Sequence, residues 1–515
     1  MRFINHVWKD KIEITVCLLL FFLLTACQSD KNLQPDKPNI ILFLVDDMGL
    51  MDTSTPMLAD ALGNPIRYPL NDWYRTPNME ELSKLGVRFS DFYAQTVCSP
   101  SRISILTGQN SARHRTTTWI NPFKKNGKKS DPPEWNWKGL DKNEITLPKI
   151  LKQSGYKNIF IGKAHFGPFG YSGADPLNLG FDVNIGGNAI GSPGSYYGSD
   201  GFGLMTKHRE REAVPHLEKY HNQDIYLTEA LTLEAKAQID SAVLAKEPFF
   251  LDMSHYAVHW PYQPDKRFID NYADSNLSED AKSYASMIEG IDKSLGDLVS
   301  YLKKKNIADN TLIIFLGDNG SAAPIGTNKT IASSAPLRGK KRSKFEGGTR
   351  VPFIASWGAL NPKNSWQKKL PITSGVIQNR IGTCDDIFST IVDLLELKVP
   401  KSHITDGQSL VPLLTGQVDA KRKDIFLSHF PHASESYTSY RNGKWKLIYN
   451  YFSELKNKST PYELYNLESD PSESNETAKQ HMDVVKVLMK EMINDLNAKN
   501  ALYPVDSLGN EVRPQ

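Results

Sequence analysis

A chain of 515 residues, 40% of them apolar, holds enough material for one large domain, or one large and one small, around a sizeable core. That composition excludes wholesale disorder. The 61 Lys and Arg against 58 Asp and Glu leave a formal charge of +3, without the concentrated basic face expected of a nucleic-acid binder.

The first element in chain order is an export leader. Arg2, Lys9 and Lys11 precede the apolar run from Val16 to Leu24, which is too short to span a bilayer comfortably. The run ends in Leu24-Thr25-Ala26-Cys27, which resembles the lipobox of bacterial lipoproteins. The resemblance implies removal of residues 1–26 and lipidation of Cys27. An ordinary signal peptide cut nearby is the other reading. Residues 27–37 are polar and read as a tether. The expected product is an exported lipoprotein of the bacterial envelope, at the outer membrane and facing periplasm or surface, held by its lipid alone. No later run is long and apolar enough for a membrane helix.

Four apolar runs then end in polar clusters. Ile40 to Val45 leads to Asp46-Asp47, and Asn158 to Gly162 leads to Lys163 and His165. Phe249 to Met253 leads towards His255 and His259, and Thr311 to Gly317 leads to Asp318-Asn319. Continuous runs of this length suit strands buried on both faces of a parallel sheet. Amphipathic stretches between them, such as Thr146 to Ser154 and Tyr284 to Lys304, read as helices. The alternation predicts an α/β fold with a wound, mostly parallel central sheet, whose ligand lies at the carboxyl ends of the strands. Residues 38–423 form this large domain. Residues 424–515 form a smaller α+β subdomain with a short antiparallel sheet: strands from Asp424 to His429, Thr438 to Arg441, Trp445 to Tyr449 and Tyr462 to Asn466, an Asn442-Gly443 hairpin signal, and a helix between Thr477 and Ala498.

Beyond Cys17 and Cys27 in the leader and lipobox, the body keeps two cysteines, Cys98 and Cys384. Two are few for a disulfide framework. Cys384 precedes an apolar helical pattern and reads as a buried thiol, although spacing does not exclude a Cys98–Cys384 bridge. Cys98-Ser99-Pro100-Ser101-Arg102 reads as a loop entering a helix, with Pro100 in the first turn. A group just before that helix feels its positive end, and Arg102 one turn in can face it. This supports either a thiolate nucleophile or an oxyanion site. The pairs Asp46-Asp47 and Asp318-Asn319 read either as helix caps or as hard oxygen donors. Their occurrence on two strands of one sheet favours a metal such as Ca²⁺ or Mg²⁺ over Zn²⁺.

The segment Cys98 to Gly108 has the pattern C-x-P-S-R-x4-T-G and resembles the signature of the type I sulfatases, within the alkaline-phosphatase-like superfamily. Gly155 to His165 resembles that family's second signature, and Leu337 to Pro352 a third conserved segment, all in the family's order. The resemblance covers Pro38 to about Ala498. It implies that a dedicated maturase oxidises Cys98 to formylglycine. It implies Ca²⁺ ligands at Asp46, Asp47, Asp318 and Asn319, with residue 98 as a further ligand. Asn319 stands where two-zinc phosphatase relatives carry His, which argues for one hard ion. Lys163 and His165 are implied to flank the aldehyde hydrate, and His259 to bind sulfate and protonate the leaving oxygen. Lys341, counted back from Glu346-Gly347-Gly348, is implied to bind sulfate, although its neighbour Lys340 also fits. Arg102 offsets anionic charge. One hydrate hydroxyl, with Asp318 as base, attacks sulfur; deprotonating the other, by His165, expels sulfate. His255 reads as supporting and Glu346 as structural.

The resemblance also implies a sulfated oligo- or polysaccharide substrate, with algal ulvan or carrageenan among the candidates. His114 and Arg115, the basic tract Lys124 to Lys129 with Trp119, Trp135 and Trp137 around it, and the glycine-rich loop Gly186 to Tyr197 are candidate substrate contacts; for the tract, a solvated loop over packed tryptophans is the equal alternative. His429 and His432 are expected near the mouth of the site. The competing functions are a phosphodiesterase or phosphonate monoester hydrolase of the same superfamily, a phosphoethanolamine-type transferase, and a non-catalytic glycan-binding lipoprotein.

Overall fold

The structure, a computed structural model, describes residues 37–60, 62–325, 333–417, 421–432, 435–456 and 460–515. The leader, Cys27 and all of the expected tether except Lys37 lie outside the described residues. Among those residues, no helix is long and apolar enough to cross a membrane.

Eight strands form the central sheet. In chain order they are β1 (Asn39–Val45), β2 (Val87–Phe89), β3 (Lys157–Gly162), β4 (Val183–Ile185), β5 (Phe249–His255), β6 (Thr311–Gly317), β7 (Phe353–Trp357) and β8 (Val376–Gln378). Their spatial order is β8-β2-β7-β6-β1-β5-β3-β4. All neighbours are parallel except those of β7, which runs against β6 and β2. The four apolar runs are the contiguous strands β6, β1, β5 and β3. Strands β1, β5 and β6 are buried at every residue, because both faces of the sheet are covered.

The covering helices are α1 (Cys98–Thr107), α2 (Leu227–Ala245), α3 (Glu279–Lys304) and α4 (Asp386–Leu394). Ile41, Phe43 and Val45 of β1 enter one core with α2 and α3, while Ile40, Leu42 and Leu44 enter the other with α1 and α4. The period-two alternation of a strand thus divides one apolar run between two cores. Helix α3 starts ahead of the expected Tyr284, because the Ser278 hydroxyl accepts the Ala281 N–H and caps it. Cys384 is buried ahead of α4, and it and Cys98 are both free thiols, so no bridge joins them.

The C-terminal sheet contains β9 (Ile425–Phe430), β10 (Tyr437–Asn442), β11 (Trp445–Asn450) and β12 (Tyr462–Asn466), antiparallel and in chain order. Asn442 pairs with Trp445, so the hairpin loop is Gly443-Lys444, with Gly443 in the left-handed region at φ +57°. Helix α5 (Met482–Ala498) packs Val485, Leu488, Met492 and Leu496 against this sheet. The sheet is joined to the body through Glu346, which accepts from Tyr93 at 2.6 Å and from Lys446 at 2.9 Å. Glu346 is structural, as expected.

Candidate active site

Strand register builds the site. Val45 of β1 lies opposite Gly317 of β6 and His255 of β5, and Gly162 of β3 lies opposite Ser254. The chain therefore leaves four adjacent strands at one level. The residues that follow, Asp46-Asp47, Lys163 and Asp318-Asn319, meet at the carboxyl edge of the sheet. Asp46, Lys163, Asp318 and Asn319 are wholly inaccessible to solvent. Gly162 permits this convergence: at φ +106° it has no room for a side chain, since a Cβ there would lie 1.9 Å from the Ser254 carbonyl oxygen.

Buried charge here is paired, and one pairing recurs. Lys163 Nζ lies 2.5 Å from Asp46 Oδ2, Lys341 Nζ 2.5 Å from Asp47 Oδ1, and Arg102 Nε 2.9 Å from Asp318 Oδ2. Each carboxylate gives one oxygen to a cation. Of the others, Asp318 Oδ1 accepts the Asp47 N–H at 3.0 Å, Asp47 Oδ2 is 3.7 Å from His259 Nε2, and Asp46 Oδ1 has no hydrogen-bond partner among the described residues. Burial holds the carboxyls of Asp46 and Asp318 up, each to about 6. Burial acts on Asp47 too, but Lys341, His259 and Lys163 outweigh it and hold that carboxyl well below the usual range.

Asn319 makes the case for a cation sharper. Its Nδ2 donates to Asp47 Oδ1 at 2.9 Å, which leaves Oδ1 buried and unpartnered among the described residues. An orphaned amide oxygen and an orphaned carboxylate oxygen in one dry cluster are costly unless something charged lies between them. Oxygens of Asp46, Asp47 and Asp318 lie within 4.8 Å of one another. The all-oxygen set fits a hard divalent cation.

Cys98 is the first residue of α1, rather than the residue before it, and it is 3% exposed. Pro100 lies in the first turn, where no N–H is needed, and Gly108 ends the helix in the left-handed region at φ +68°. Arg102, one turn in from Cys98, also donates through Nη1 to the Lys163 carbonyl at 2.6 Å, locking α1 to the end of β3. Cys98 Sγ is 3.4 Å from His165 Nδ1, and His165 Nε2 donates to the Ile120 carbonyl at 2.6 Å. Burial, with Lys163 and Arg102 nearby, pulls His165 well below its ordinary value, so the ring is neutral. Gly191 packs on that ring: a Cβ there would lie 2.8 Å from His165 Cε1.

Above this floor is a cavity of about 350 Å³, lined in part by Cys98, His165, His259 and Lys341. His259 donates from Nδ1 to the Trp260 carbonyl at 2.8 Å, and burial lowers its imidazole to about 3 despite Asp47. The structure thus gathers Cys98, Arg102, Lys163, His165, His259, Asp318 and Lys341 with Asp46, Asp47 and Asn319. Of the expected substrate contacts, Trp119, Gly191 and Ser192 line the cavity. Trp135 packs in the core instead, with Trp137 half-buried against it.

Several other histidines are structural. His114 bonds Ser104, and His255 bonds Ser294 at 3.1 Å. His429 is held by Thr438 and the Leu502 carbonyl, and His432 by Thr117 and Asp131. Neither His429 nor His432 lines the cavity, contrary to expectation, because His429 is held within its own subdomain and His432 against Thr117 and Asp131 of the large domain. Phe123, Glu212 and Arg342 do line it. Sequence reasoning missed them: Phe123 and Glu212 sit in irregular segments without periodicity, and the only signal for Arg342 is its place beside Lys341.

Comparison with known proteins agrees with this geometry. The sulfatase family model matches residues 38–397, and the model for the C-terminal part of N-sulphoglucosamine sulphohydrolase matches residues 340–499. The chain is 30% identical to N-acetylgalactosamine-6-sulfatase of Mus musculus over 403 residues, covering 75% of this chain and 68% of the relative. It is 28% identical to N-acetylgalactosamine-6-O-sulfatase of Bacteroides thetaiotaomicron over 538 residues, covering 90% and 95%. The crystal structure of Ps i-CgsB in complex with k-i-k-neocarrahexaose superposes with a TM-score of 0.69 at 26% identity, covering 92% of this chain and 96% of that one. With these matches spanning the strands and helices that carry Cys98 and the carboxylates, the chain belongs to the sulfatase family and is a sulfuric ester hydrolase.

Proposed function

We propose that this protein removes sulfate from a sulfated glycan, using formylglycine made from Cys98 by a maturase and a Ca²⁺ ion held by Asp46, Asp47, Asp318 and Asn319. The observation that carries the reading is the 3.4 Å approach of Cys98 to a neutral His165 beside a buried carboxylate cluster. A Ca²⁺ ion held by these residues and residue 98 would supply positive charge that favours the nucleophile and an anionic ester.

The chain's own groups do the rest. Lys341, Arg102 and Lys163 set positive charge around the sulfate position, and positioning in a dry site supplies much of the rate enhancement. Asp318, whose Oδ2 is paired with Arg102, takes the proton of the attacking hydroxyl on residue 98. His165 carries its lone pair on Nδ1, towards residue 98, and takes a proton from the second oxygen there. His259 Nε2 faces Asp47 Oδ2 at 3.7 Å, and once protonated it passes that proton to the departing sugar oxygen.

The glycan part of the reading is supported by the relatives named for N-acetylgalactosamine sulfates and by the neocarrahexaose complex. A cavity of about 350 Å³ is at the small end for ligand sites and suits a sulfated sugar unit entered from one side. Carrageenan and ulvan oligosaccharides and glycosaminoglycan fragments are the candidate substrates. Lipid anchoring through Cys27 to the bacterial envelope would place the site where such polymers are met.

The test is a panel of defined sulfated saccharides, with an aryl sulfate and an aryl phosphate diester alongside, assayed with protein co-produced with a maturase and its residue 98 verified by peptide mass spectrometry. Desulfation is mapped by NMR. Sulfate release from a saccharide, lost in Cys98→Ala, is the expected result. Faster turnover of the phosphate diester, or undiminished release by Cys98→Ala, overturns the reading.

A further inference from the structure

We propose that Arg342 and Arg211 make the mouth of the cavity a receptor for a second anionic group of the substrate, a sulfate or a uronate carboxylate close to the ester that is cleaved. This rests on the reading of the site as a sulfate ester hydrolase.

Most cations at this site are neutralised by the protein itself. Lys341 is paired with Asp47, Lys163 with Asp46, and Arg102 with Asp318. At the rim, Arg209 stacks on Trp260 at 4.4 Å and is paired with Glu212, which lines the cavity. Arg342 and Arg211 break the pattern: neither guanidinium has a carboxylate partner among the described residues.

Arg342 is anchored at its backbone and Arg211 at its guanidinium. Arg342 lines the cavity and is exposed. Its root is rigid. Its N–H donates to the Thr96 carbonyl at 3.2 Å, its φ is +73°, and the Ser343 carbonyl beside it accepts from Tyr437 at 3.0 Å. Arg211 is fixed differently. Its guanidinium lies over the ring of Phe123 with 4.0 Å to the centroid, and Phe123 both lines the cavity and stacks on Phe169 at 5.6 Å. Stacking occupies the face of a guanidinium and leaves its N–H edge free.

An exposed arginine is ordinarily only solvated. These two differ in their place: Arg342 lines the cavity above the cluster that receives the ester sulfate, and Arg211 stacks on Phe123, which lines it too. A pre-positioned guanidinium edge matches sulfate and carboxylate alike, through paired N–H donors. The exposed Lys124, Lys125, Lys128 and Lys129 follow Phe123 in the chain and add positive potential on that side. The mouth is therefore built for a polyanionic sugar rather than for an isolated monosulfate.

The experiment compares kcat/KM of the mature, Ca²⁺-loaded protein on N-acetylgalactosamine 6-sulfate, on N-acetylgalactosamine 4,6-disulfate, and on a disaccharide joining the 6-sulfated sugar to a uronate. The two dianionic probes separate sulfate from carboxylate as the second group. The expected result is a preference of roughly ten- to a hundredfold for one of them over the monosulfate. That preference falls towards unity in Arg342→Gln or Arg211→Gln, is partly kept in Arg342→Lys, and weakens with added salt. Equal kcat/KM for all three probes overturns the proposal. So does a pair of glutamine variants, both folded by thermal melt, that keep the wild-type preference. Absence of sulfate release from every probe, from the wider saccharide panel and from the aryl sulfate, with the aldehyde verified, would overturn the parent reading instead.

Discussion

Nδ1 of His165 stands 3.4 Å from Sγ of Cys98, and the hydrogen bond from Nε2 to the Ile120 carbonyl makes Nδ1 the nitrogen without a proton. Ile120 is fixed in turn, since its N–H donates to Ser99 Oγ at 3.1 Å. The ring is thus aimed at residue 98 as a proton acceptor. His165→Ala should lower kcat by about 10²- to 10⁴-fold with little change in KM. Steady-state kinetics on an aryl sulfate measures this, and an unchanged kcat removes His165 from proton transfer.

His259 offers the opposite function. Its Nδ1 proton is committed to the Trp260 carbonyl, so it can act as an acid only after Nε2 gains a proton. Asp47 Oδ2 at 3.7 Å and an anionic substrate both favour that form. The need for an acid grows with the basicity of the leaving oxygen. His259→Gln should therefore slow cleavage of a sugar sulfate by about 10²-fold or more, and of 4-nitrophenyl sulfate much less. Equal losses on the two esters would assign His259 to sulfate binding alone.

The buried oxygens of Asp46 and Asn319 that accept no hydrogen bond among the described residues predict a thermal signature for the cation that does not depend on turnover. Chelation should lower the melting temperature, and adding Ca²⁺ back should raise it in proportion to the logarithm of concentration. Asn319→Leu, which removes one of those oxygens, should reduce the Ca²⁺-dependent rise. A melt insensitive to both chelator and Ca²⁺ would argue against a structural cation at these four residues.

What was legible in the sequence is explained by length and adjacency. Strands β1, β3, β5 and β6 are long continuous apolar runs, and the charged residues directly after them are the site. Asp46, Asp47, Asp318, Asn319 and Lys163 can be placed together from the sequence alone. Strands β2, β4 and β8 have three residues each and carry no period, and the apolar pattern of β7 does not encode its reversed direction. Which way an irregular loop turns a side chain is equally hidden. Lys341 and Arg342 are neighbours in sequence, yet one is committed to Asp47 and the other borders the open cavity without an acidic partner among the described residues. His432 was expected at the mouth, but it is sequestered between Thr117 Oγ1 at 2.7 Å and Asp131 Oδ2 at 3.2 Å. Those partners are hundreds of residues away in the chain.

Gly191 shows how tightly the base is supported. Its φ lies outside the left-handed region, so alanine is allowed by the backbone, but the added Cβ would meet His165 Cε1 at 2.8 Å. The ring cannot withdraw without loosening its bond to Ile120 or its approach to Cys98. Gly191→Ala should lower kcat by about tenfold or more while changing the melting temperature little. A fully active Gly191→Ala protein would mean that the ring position is not critical.

Asp385, outside the site, sets a pH dependence of stability. It is 5% exposed, its Oδ1 has no partner among the described residues, and burial, with Asp386 beside it, raises its carboxyl to about 7. An unfolded aspartate titrates near 4. Below that both states hold the proton, and Asp385 causes no loss. Between about 4 and 7 the unfolded chain has released its proton and the folded one has not, so stability falls as pH rises; above 7 the loss is complete. Asp385→Asn removes the titration. Its melting temperature relative to the wild type should climb between about pH 4 and pH 8 and then level off, reaching an advantage of a few degrees. Thermal melts across that range decide the matter, since a difference that stays constant with pH would show that Asp385 remains ionised in the folded protein.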